Sequence, residues 1–122
     1  MPTVLVIGDD NTFRRHLGTL FDHGSGFDAC VEAENGVDAL DKTMQLLPKL
    51  VVLDSSLPDI NGLQLAQKLR AITPGLPILM LTTDYSVSSE KKALSFGITA
   101  VFSKLDDLAT LVANARAVCG IE

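Results

Sequence analysis

Short apolar runs alternate with longer amphipathic stretches along the whole chain. Apolar runs of four to six residues are typical of parallel strands covered on both faces, and the stretches between them show the helical period. The pattern therefore predicts an α/β fold. The predicted strands lie near Thr3–Ile7, Phe27–Ala33, Leu50–Leu53, Ile78–Leu81 and Ala100–Phe102.

Each amphipathic stretch predicts one helix with an apolar face. Gly62 should open the third helix, and Pro74 should follow its end. The segment from 84 to 96 has the fewest apolar residues, so its helix should be the most loosely held. The apolar faces predicted to be buried are Phe13, Leu17, Leu20 and Phe21; Val37, Leu40, Met44 and Leu47; Leu65, Leu69 and Ile72; Val87, Leu94 and Phe96; and Leu105, Leu108, Val112 and Ala115.

The five successive strand–helix units predict one domain over residues 1–122. No Pro/Gly/Ser-rich linker or charge block divides the chain, and 122 residues with 47% apolar content are enough for one packed core. The expected architecture is a doubly wound (βα)5 flavodoxin-like parallel sheet with strand order 2-1-3-4-5.

Composition excludes several classes of partner. A formal net charge of −5 offers no basic surface to nucleic acid. No apolar run approaches the roughly 20 residues that span a bilayer, and Met1-Pro2-Thr3 lacks a basic signal-peptide start, so we expect a cytoplasmic protein without a membrane segment. Cys30 and Cys119 are expected to be reduced, packed thiols, although a disulfide between them stays open.

Polar residues follow four of the five predicted strands. In a doubly wound sheet the carboxyl ends of the strands meet at one rim, where ligands bind. Three carboxylates at that rim would repel one another unless a cation lay among them, and oxygen ligands suit Mg²⁺ or Mn²⁺. The residues are Asp9 and Asp10 after the first strand, Asp54 after the third, Thr82 and Thr83 after the fourth, and Lys104 after the fifth.

This rim has the chemistry of a phosphoryl receptacle. Asp54 follows the central strand, and a carboxylate can attack phosphorus and hold the group as an acyl phosphate. Lys104 and Thr82 could bind the phosphoryl oxygens, and a movement of Thr82 could bias the helix after it. Separately, each residue has a simpler role: Asp10 or Asn11 could cap the first helix, Thr82 or Asp84 the fourth, Asp54 could be a turn residue and Lys104 a solvated lysine. Their joint placement favours a site.

Together these residues resemble the receiver domain of bacterial two-component response regulators, over essentially the whole length. The resemblance implies that Asp54 is the phosphoacceptor, that Asp10, Asp54 and the backbone carbonyl of Ser56 bind Mg²⁺ directly, and that Asp9 acts through water. It also implies that Thr82 and Lys104 bind phosphoryl oxygens. The matching motifs are Val4–Ile7 with Asp9-Asp10, Val51–Asp54 with Leu57-Pro58 and Asn61-Gly62, and Leu81-Thr82, Ala93, Gly97 and Lys104.

The resemblance further implies partners. A histidine kinase or phosphotransfer protein would donate the phosphoryl group. The fourth helix, fifth strand and fifth helix would form the face for a downstream protein, an output domain missing from this chain, or a second copy in a weak homodimer. The sequence leaves open whether Glu122 is a natural end or a cut before an output domain, and a stand-alone receiver is slightly favoured.

Three positions depart from the family pattern. Leu105 follows Lys104 where the family usually has Pro, so we predict a trans bond and a rearranged loop, which leaves the aim of Lys104 open. Val101 replaces the usual switch aromatic, and Phe102 should point to the opposite face of the strand. Thr83 stands where a very small residue is usual and would hinder access to the acyl phosphate.

Two other functions compete with a phosphoacceptor. The departures at Val101 and Leu105 would fit a degenerate receiver that binds a partner without phosphorylation. A flavodoxin would need a Ser/Thr/Gly-rich loop after the first strand, and a phosphatase with an aspartyl nucleophile would need two aspartates flanking one residue there; neither is present. His16 and His23 are expected to be surface residues.

Overall fold

The computed structural model describes residues 2–22 and 26–121, in which five strands and five helices alternate. His23 and Glu122, which the sequence analysis discussed, lie outside these residues. No described helix has the length and hydropathy that crossing a bilayer requires. The elements are β1 (Thr3–Ile7), α1 (Asn11–Asp22), β2 (Ala29–Ala33), α2 (Gly36–Leu46), β3 (Leu50–Asp54), α3 (Gly62–Ile72), β4 (Ile78–Thr82), α4 (Val87–Ser95), β5 (Ala100–Ser103) and α5 (Leu108–Val118).

The strands form one parallel sheet in the order β2-β1-β3-β4-β5. This confirms the predicted doubly wound fold and strand order. The central strand β3 is buried along its whole length, and alternate residues enter different core layers: Val51 and Leu53 pack in one, Leu50 and Val52 in the other. Burial on both faces explains why this segment is continuously apolar.

The predicted burial of α1 is partly right. Leu17 and Phe21 are buried, whereas Phe13 and Leu20 are only partly covered. The structure adds a charged residue to the buried face, because Arg14 is also buried. A basic side chain on that face requires polar partners, which are described with the site below.

The predicted apolar face of α2 is wrong. Val37, Met44 and Leu47 are between 56% and 65% exposed, and Leu40 is only partly buried. The buried positions instead carry small residues: Gly36, Ala39 and Thr43. A Cβ atom at Gly36 would lie 2.3 Å from Ile60 Cγ2, so this face approaches its neighbours too closely for larger side chains. Close packing therefore decided the face, against the apolar stripe.

The prediction that α4 is the most loosely held helix is confirmed, but the residues predicted to anchor it are wrong. It buries fewer residues than any other described helix, so it is the most loosely held. However, Ala93 is its only buried residue, while the predicted anchors Val87 and Leu94 are exposed (64% and 46%) and Phe96 is partly buried. A small anchor allows the helix to lie close to the sheet but provides little apolar area.

Two predicted core residues near the other helices are exposed. Leu65 and Leu69 of α3 are buried as predicted, but Ile72 at the helix end is exposed. Leu105 is 91% exposed because it precedes α5 rather than lying on its packed face. The packed face of α5 is formed by Leu111 and Ala115, with Leu108 and Val112 partly covered.

Backbone hydrogen bonds tie neighbouring strand ends together at the predicted rim. The Gly8 N–H donates to the Ala33 carbonyl at 3.0 Å, beyond β1 and β2. Across β3 and β4 the Ser55 N–H donates to the Leu81 carbonyl at 2.9 Å. These bonds fix the positions from which the polar side chains of the rim project.

Candidate functional site

The Asp54 carboxylate lies at the centre of the rim, as the last residue of β3. Its side chain is only 4% exposed, so both oxygens need partners. Oδ1 accepts a hydrogen bond of 3.0 Å from the Ser56 N–H, and Oδ2 accepts one of 2.5 Å from Lys104 Nζ. The carboxylate is therefore held in one orientation by one neutral donor and one cationic donor.

Lys104 directly follows the carboxyl end of β5, and its side chain extends from there to Asp54. Its backbone N–H donates to the Thr82 carbonyl at 2.9 Å, which ties the start of the side chain to β4. Its ammonium group also lies over the ring of Phe13, 5.0 Å from the centroid, at the distance of a cation–π contact. From the sequence Phe13 is predicted only as a core residue, and its contact with Lys104 is found only in the structure.

The loop after Lys104 confirms one prediction and answers one open question. Among the described residues no peptide bond is cis, so Lys104–Leu105 is trans as predicted. The aim of Lys104, which the sequence leaves open, is towards Asp54, with which its side chain pairs. The trans loop is closed locally, with the Leu105 N–H donating to Ser103 Oγ and the Ser103 N–H to the Asp106 carboxylate.

Two of the three predicted acidic residues meet at the rim. Asp10 and Asp54 line one small cavity at the carboxyl ends of β1 and β3, whereas Asp9 does not line it. Within residues 2–22 and 26–121 no group of three or more His, Cys, Asp or Glu residues is placed to hold a metal ion. Two carboxylates still fit Mg²⁺, because this ion usually takes one or two carboxylates and completes its shell with water and phosphate oxygens.

Asp10 also has the simpler role that the sequence left open. Its Oδ1 accepts a hydrogen bond of 3.1 Å from the Phe13 N–H, which caps the start of α1. This bond uses one carboxylate oxygen. Capping and a place in the acidic cavity are therefore compatible in one side chain.

Thr82, the last residue of β4, does not cap α4, which was the simpler alternative for it. Thr82 is half-buried, and its Oγ1 accepts a hydrogen bond of 3.1 Å from the Asp84 N–H. Ser86, not Thr82 or Asp84, caps α4 in a reciprocal capping box with Ser89. Thr83 is exposed. Thr82 is thus free of a capping role at the edge of the site.

Val101 and Phe102 point to opposite faces of β5, as predicted. Val101 is buried in the core layer that contains Met80 and Ala93. Phe102 packs partly against the other layer, which contains Leu81 and Leu111. The face of β5 next to α4 therefore carries a small aliphatic side chain and no ring.

Sequence comparison identifies the protein family in which this arrangement of rim residues occurs. The family model of the response regulator receiver domain matches residues 4–116. The chain belongs to this family. This receiver domain is 35% identical over 114 residues to the response regulator MprA of a Mycobacterium species, covering 93% of the chain and 49% of that protein. It is 36% identical over 114 residues to the DNA-binding response regulator MtrA of Mycolicibacterium paratuberculosis, with 93% and 49% covered.

Solved structures show the same fold. The receiver domain of the Francisella response regulator 1452 superposes with a TM-score of 0.90 at 23% identity, covering 98% of both chains. The chemotaxis protein CheY4 of Vibrio cholerae superposes with a TM-score of 0.86 at 26% identity, covering 97% of this chain and 98% of that one. The present receiver domain spans about half the length of the curated relatives that it matches.

Arg14 is a further polar residue of the receiver domain that the sequence analysis missed. Its guanidinium donates to the Gly8 carbonyl at 2.6 Å, to Glu32 Oε1 at 2.9 Å and to Asn11 Oδ1 at 2.5 Å. It thereby ties the loop that carries the first-strand acids to β2, and it lines the same small cavity as Asp10. The sequence contains a sign of this role: Arg14 lies three positions before Leu17 and therefore on the apolar face of α1, where a charged side chain needs polar partners.

The cysteines of the receiver domain are free and half-buried, so no disulfide joins them. Burial raises the pKa of the Cys30 thiol to about 12, with smaller contributions from the negative charges of Asp22 and Glu32. Burial also raises the pKa of Cys119. Both are the packed thiols that the sequence predicted, and His16 is exposed as predicted.

Proposed function

We propose that this receiver domain accepts a phosphoryl group on Asp54 in a Mg²⁺-dependent reaction, with a histidine kinase or phosphotransfer protein as donor. One observation carries the proposal: a nearly fully buried carboxylate at the end of the central strand is paired with Lys104 at 2.5 Å. Phosphoryl transfer brings a negatively charged carboxylate close to a negatively charged phosphoryl group. A cation held beside the carboxylate offsets the repulsion between them.

In the transfer step, one Asp54 oxygen attacks phosphorus. The new O–P bond forms as the P–N bond to the donor histidine breaks, and the electron pair stays on the imidazole nitrogen, which takes a proton from solvent. Lys104 would move from the carboxylate to the phosphoryl oxygens while the ring of Phe13 keeps its ammonium group near the rim. The domain would act on no external substrate beyond its own gain and loss of phosphate.

The residues proposed to hold Mg²⁺ are Asp10, Asp54 and the backbone carbonyl of Ser56, with Asp9 acting through water; Mn²⁺ could replace Mg²⁺. The ion would neutralise charge on the phosphoryl oxygens and on the paired carboxylates. Arg14 supports this set indirectly, because its bonds to Gly8 and Glu32 hold the loop that presents Asp10.

Switching would pass through Thr82. Its hydroxyl, now bonded to the Asp84 N–H, could turn to a phosphoryl oxygen and draw the loop before α4 towards the rim. Because α4 is weakly attached, it could move when Asp54 is phosphorylated. Its movement would change a partner surface formed by α4, β5 and α5. We propose a downstream protein, an output domain or a second copy in a weak dimer as the partner, in the cytoplasm and without direct nucleic-acid contact by this domain.

A degenerate receiver is the second candidate, and one observation favours it. Both Asp54 oxygens already have protein donors, so the Asp54–Lys104 pair is satisfied without metal or phosphate. Val101 and Leu105 also depart from the family pattern. In this case the partner surface would bind constitutively.

Intact-mass measurement after incubation with acetyl phosphate distinguishes the two candidates. We expect a Mg²⁺-dependent gain of one phosphoryl group that is absent in Asp54→Asn, which keeps the shape of the side chain. Asp10→Asn is a matched control, since asparagine caps α1 as well as aspartate but lacks its charge; it should need more Mg²⁺ for the same gain. A folded protein that gains no mass would support the degenerate receiver.

A further inference from the structure

A cavity of about 180 Å³ lies among α3, β4, α4 and β5 and is separate from the acidic cavity. We call it the β4–α4 cavity. Its apolar wall is formed by Leu63, Met80, Ala93 and Val101. Met80, Ala93 and Val101 are buried members of one core layer, so this wall belongs to the core, while the cavity opens to solvent at the exposed Ser89 and Lys92.

The size of the β4–α4 cavity limits its ligand. A closed apolar cavity of about 150 Å³ accepts benzene, whereas drug-sized ligands need about 300–1,000 Å³, so a half-open cavity of this volume has room for one ring with its substituent at the mouth. The cavity therefore matches one aromatic ring. The short side chains of Ala93 and Val101 leave this space, because larger residues at either position would extend into it.

The mouth of the cavity is polar and cationic. Thr82, Ser89 and Lys92 line it, and both Ser89 and Lys92 are exposed. Within the described ranges Lys92 forms no ion pair, so its charge is available to a ligand. An apolar wall beneath one uncompensated ammonium group is complementary to a ring that carries an anionic group.

We propose that the β4–α4 cavity binds a single-ring aromatic acid, with the ring against Met80, Ala93 and Val101 and the carboxylate facing Lys92. Asp54 and the acidic cavity do not contribute to this site, which shares only Thr82 with the proposed switch, so ligand binding there does not require phosphorylation. A ligand there would lie under α4 and fill space that the helix leaves unpacked.

Titration with benzoate, followed by ¹⁵N–¹H correlation spectra at constant ionic strength without Mg²⁺, tests the proposal. We expect saturable shifts, with a Kd on the order of 1 mM, centred on the amides of Leu63, Ala93 and Val101. Lys92→Gln should weaken benzoate binding several-fold and leave the binding of uncharged toluene unchanged. Equal loss of both ligands, or of neither, would overturn the role of the ammonium group.

Two filling variants identify the cavity as the site. Val101→Phe should abolish the saturable shifts, whereas the same change at the exposed Val118 of α5 should leave them intact. If Val101→Phe does not fold, Ala93→Leu fills the same space from α4. Shifts that persist in a folded filling variant, or that are absent from the wild-type protein, would overturn the proposal. Asp54→Asn should bind benzoate normally, so this test and the phosphorylation test fail independently.

Discussion

The helices α1 and α4 both border the rim of the sheet, yet they are attached to it in different ways. Leu17 and Phe21 of α1 are almost fully buried, and the buried Arg14 adds one hydrogen bond to the loop at Gly8 and one to Glu32 of β2. On α4, Ala93 alone is buried, and the β4–α4 cavity lies beside it. One helix is built into the core, and the other rests on it.

This difference separates stability from response. Elements with few buried apolar contacts open at a lower free energy than the global unfolding reaction. A charge change at Asp54 could therefore move α4 at small cost, while α1 keeps Asp10 and Phe13 in place. The proposed phosphoacceptor at Asp54 would therefore have a firmly packed helix, α1, and a weakly packed helix, α4, on opposite faces of the sheet.

Matched leucine truncations give the largest expected contrast. Leu17 is 2% exposed and Leu94 is 46% exposed. Leu17→Ala should lower the free energy of unfolding by about 2–5 kcal/mol because it leaves a cavity, and Leu94→Ala by less than about 0.5 kcal/mol. Urea denaturation measures both. Similar losses would show that α4 is as firmly packed as α1.

The polar attachment of α1 can be broken separately. Arg14→Met should cost about 2 kcal/mol, because the Gly8 carbonyl loses its partner and Glu32 loses a charged one; partial exposure of Glu32 keeps the loss moderate. The exposed neighbour Arg15 is the control, and Arg15→Met should have almost no effect. Equal urea midpoints for the two variants would contradict a structural role for Arg14.

Removing the cap of α4 should affect that helix alone. Ser86→Ala breaks the capping box and should cost about 1 kcal/mol locally, which is about fivefold faster amide exchange in α4. Ser88→Ala is the control on the same helix, because no side-chain hydrogen bond holds that exposed residue among the described residues. A matching fall in the global urea midpoint would mean that α4 unfolds only with the whole domain.

The start of α2 offers a smaller, pH-dependent comparison. Asp59 accepts hydrogen bonds from the Gly36 and Val37 N–H groups, and the Gly36 bond is the main reason that its pKa lies below the usual value. A lowered pKa adds stability above the ordinary carboxyl pKa near 4, and this stability disappears as the pH falls through the lowered value.

We therefore expect Asp59→Asn to be slightly less stable than the wild-type protein at neutral pH and equally stable in strong acid, measured by urea midpoints at several pH values. The difference should be small, because Asp59 is exposed to solvent. A difference that grows as the pH falls would have the wrong sign for this mechanism.

Much of the site could be predicted because it depends on strand order. Parallel strands bring their carboxyl ends to one rim, so residues that follow strands meet there whatever packs beneath them. For this reason the sequence alone predicts that Asp10, Asp54 and Lys104 lie together at the rim. Phe13 and Arg14 were missed in the site because their roles depend on which side chains of α1 turn towards the loop.

The sequence by itself determined the fold class and the weak attachment of α4, since hydrophobic period and apolar content are local properties of the chain, and the rules for connections in doubly wound sheets then led to the strand order. Only the tertiary structure decided which face of α2 is buried, that Asp9 stands apart from Asp10 and Asp54, and that Lys104 reaches its partner through a trans loop. These features depend on distances between segments far apart in the chain. Close approach and hydrogen-bond geometry, which no periodicity encodes, settle them.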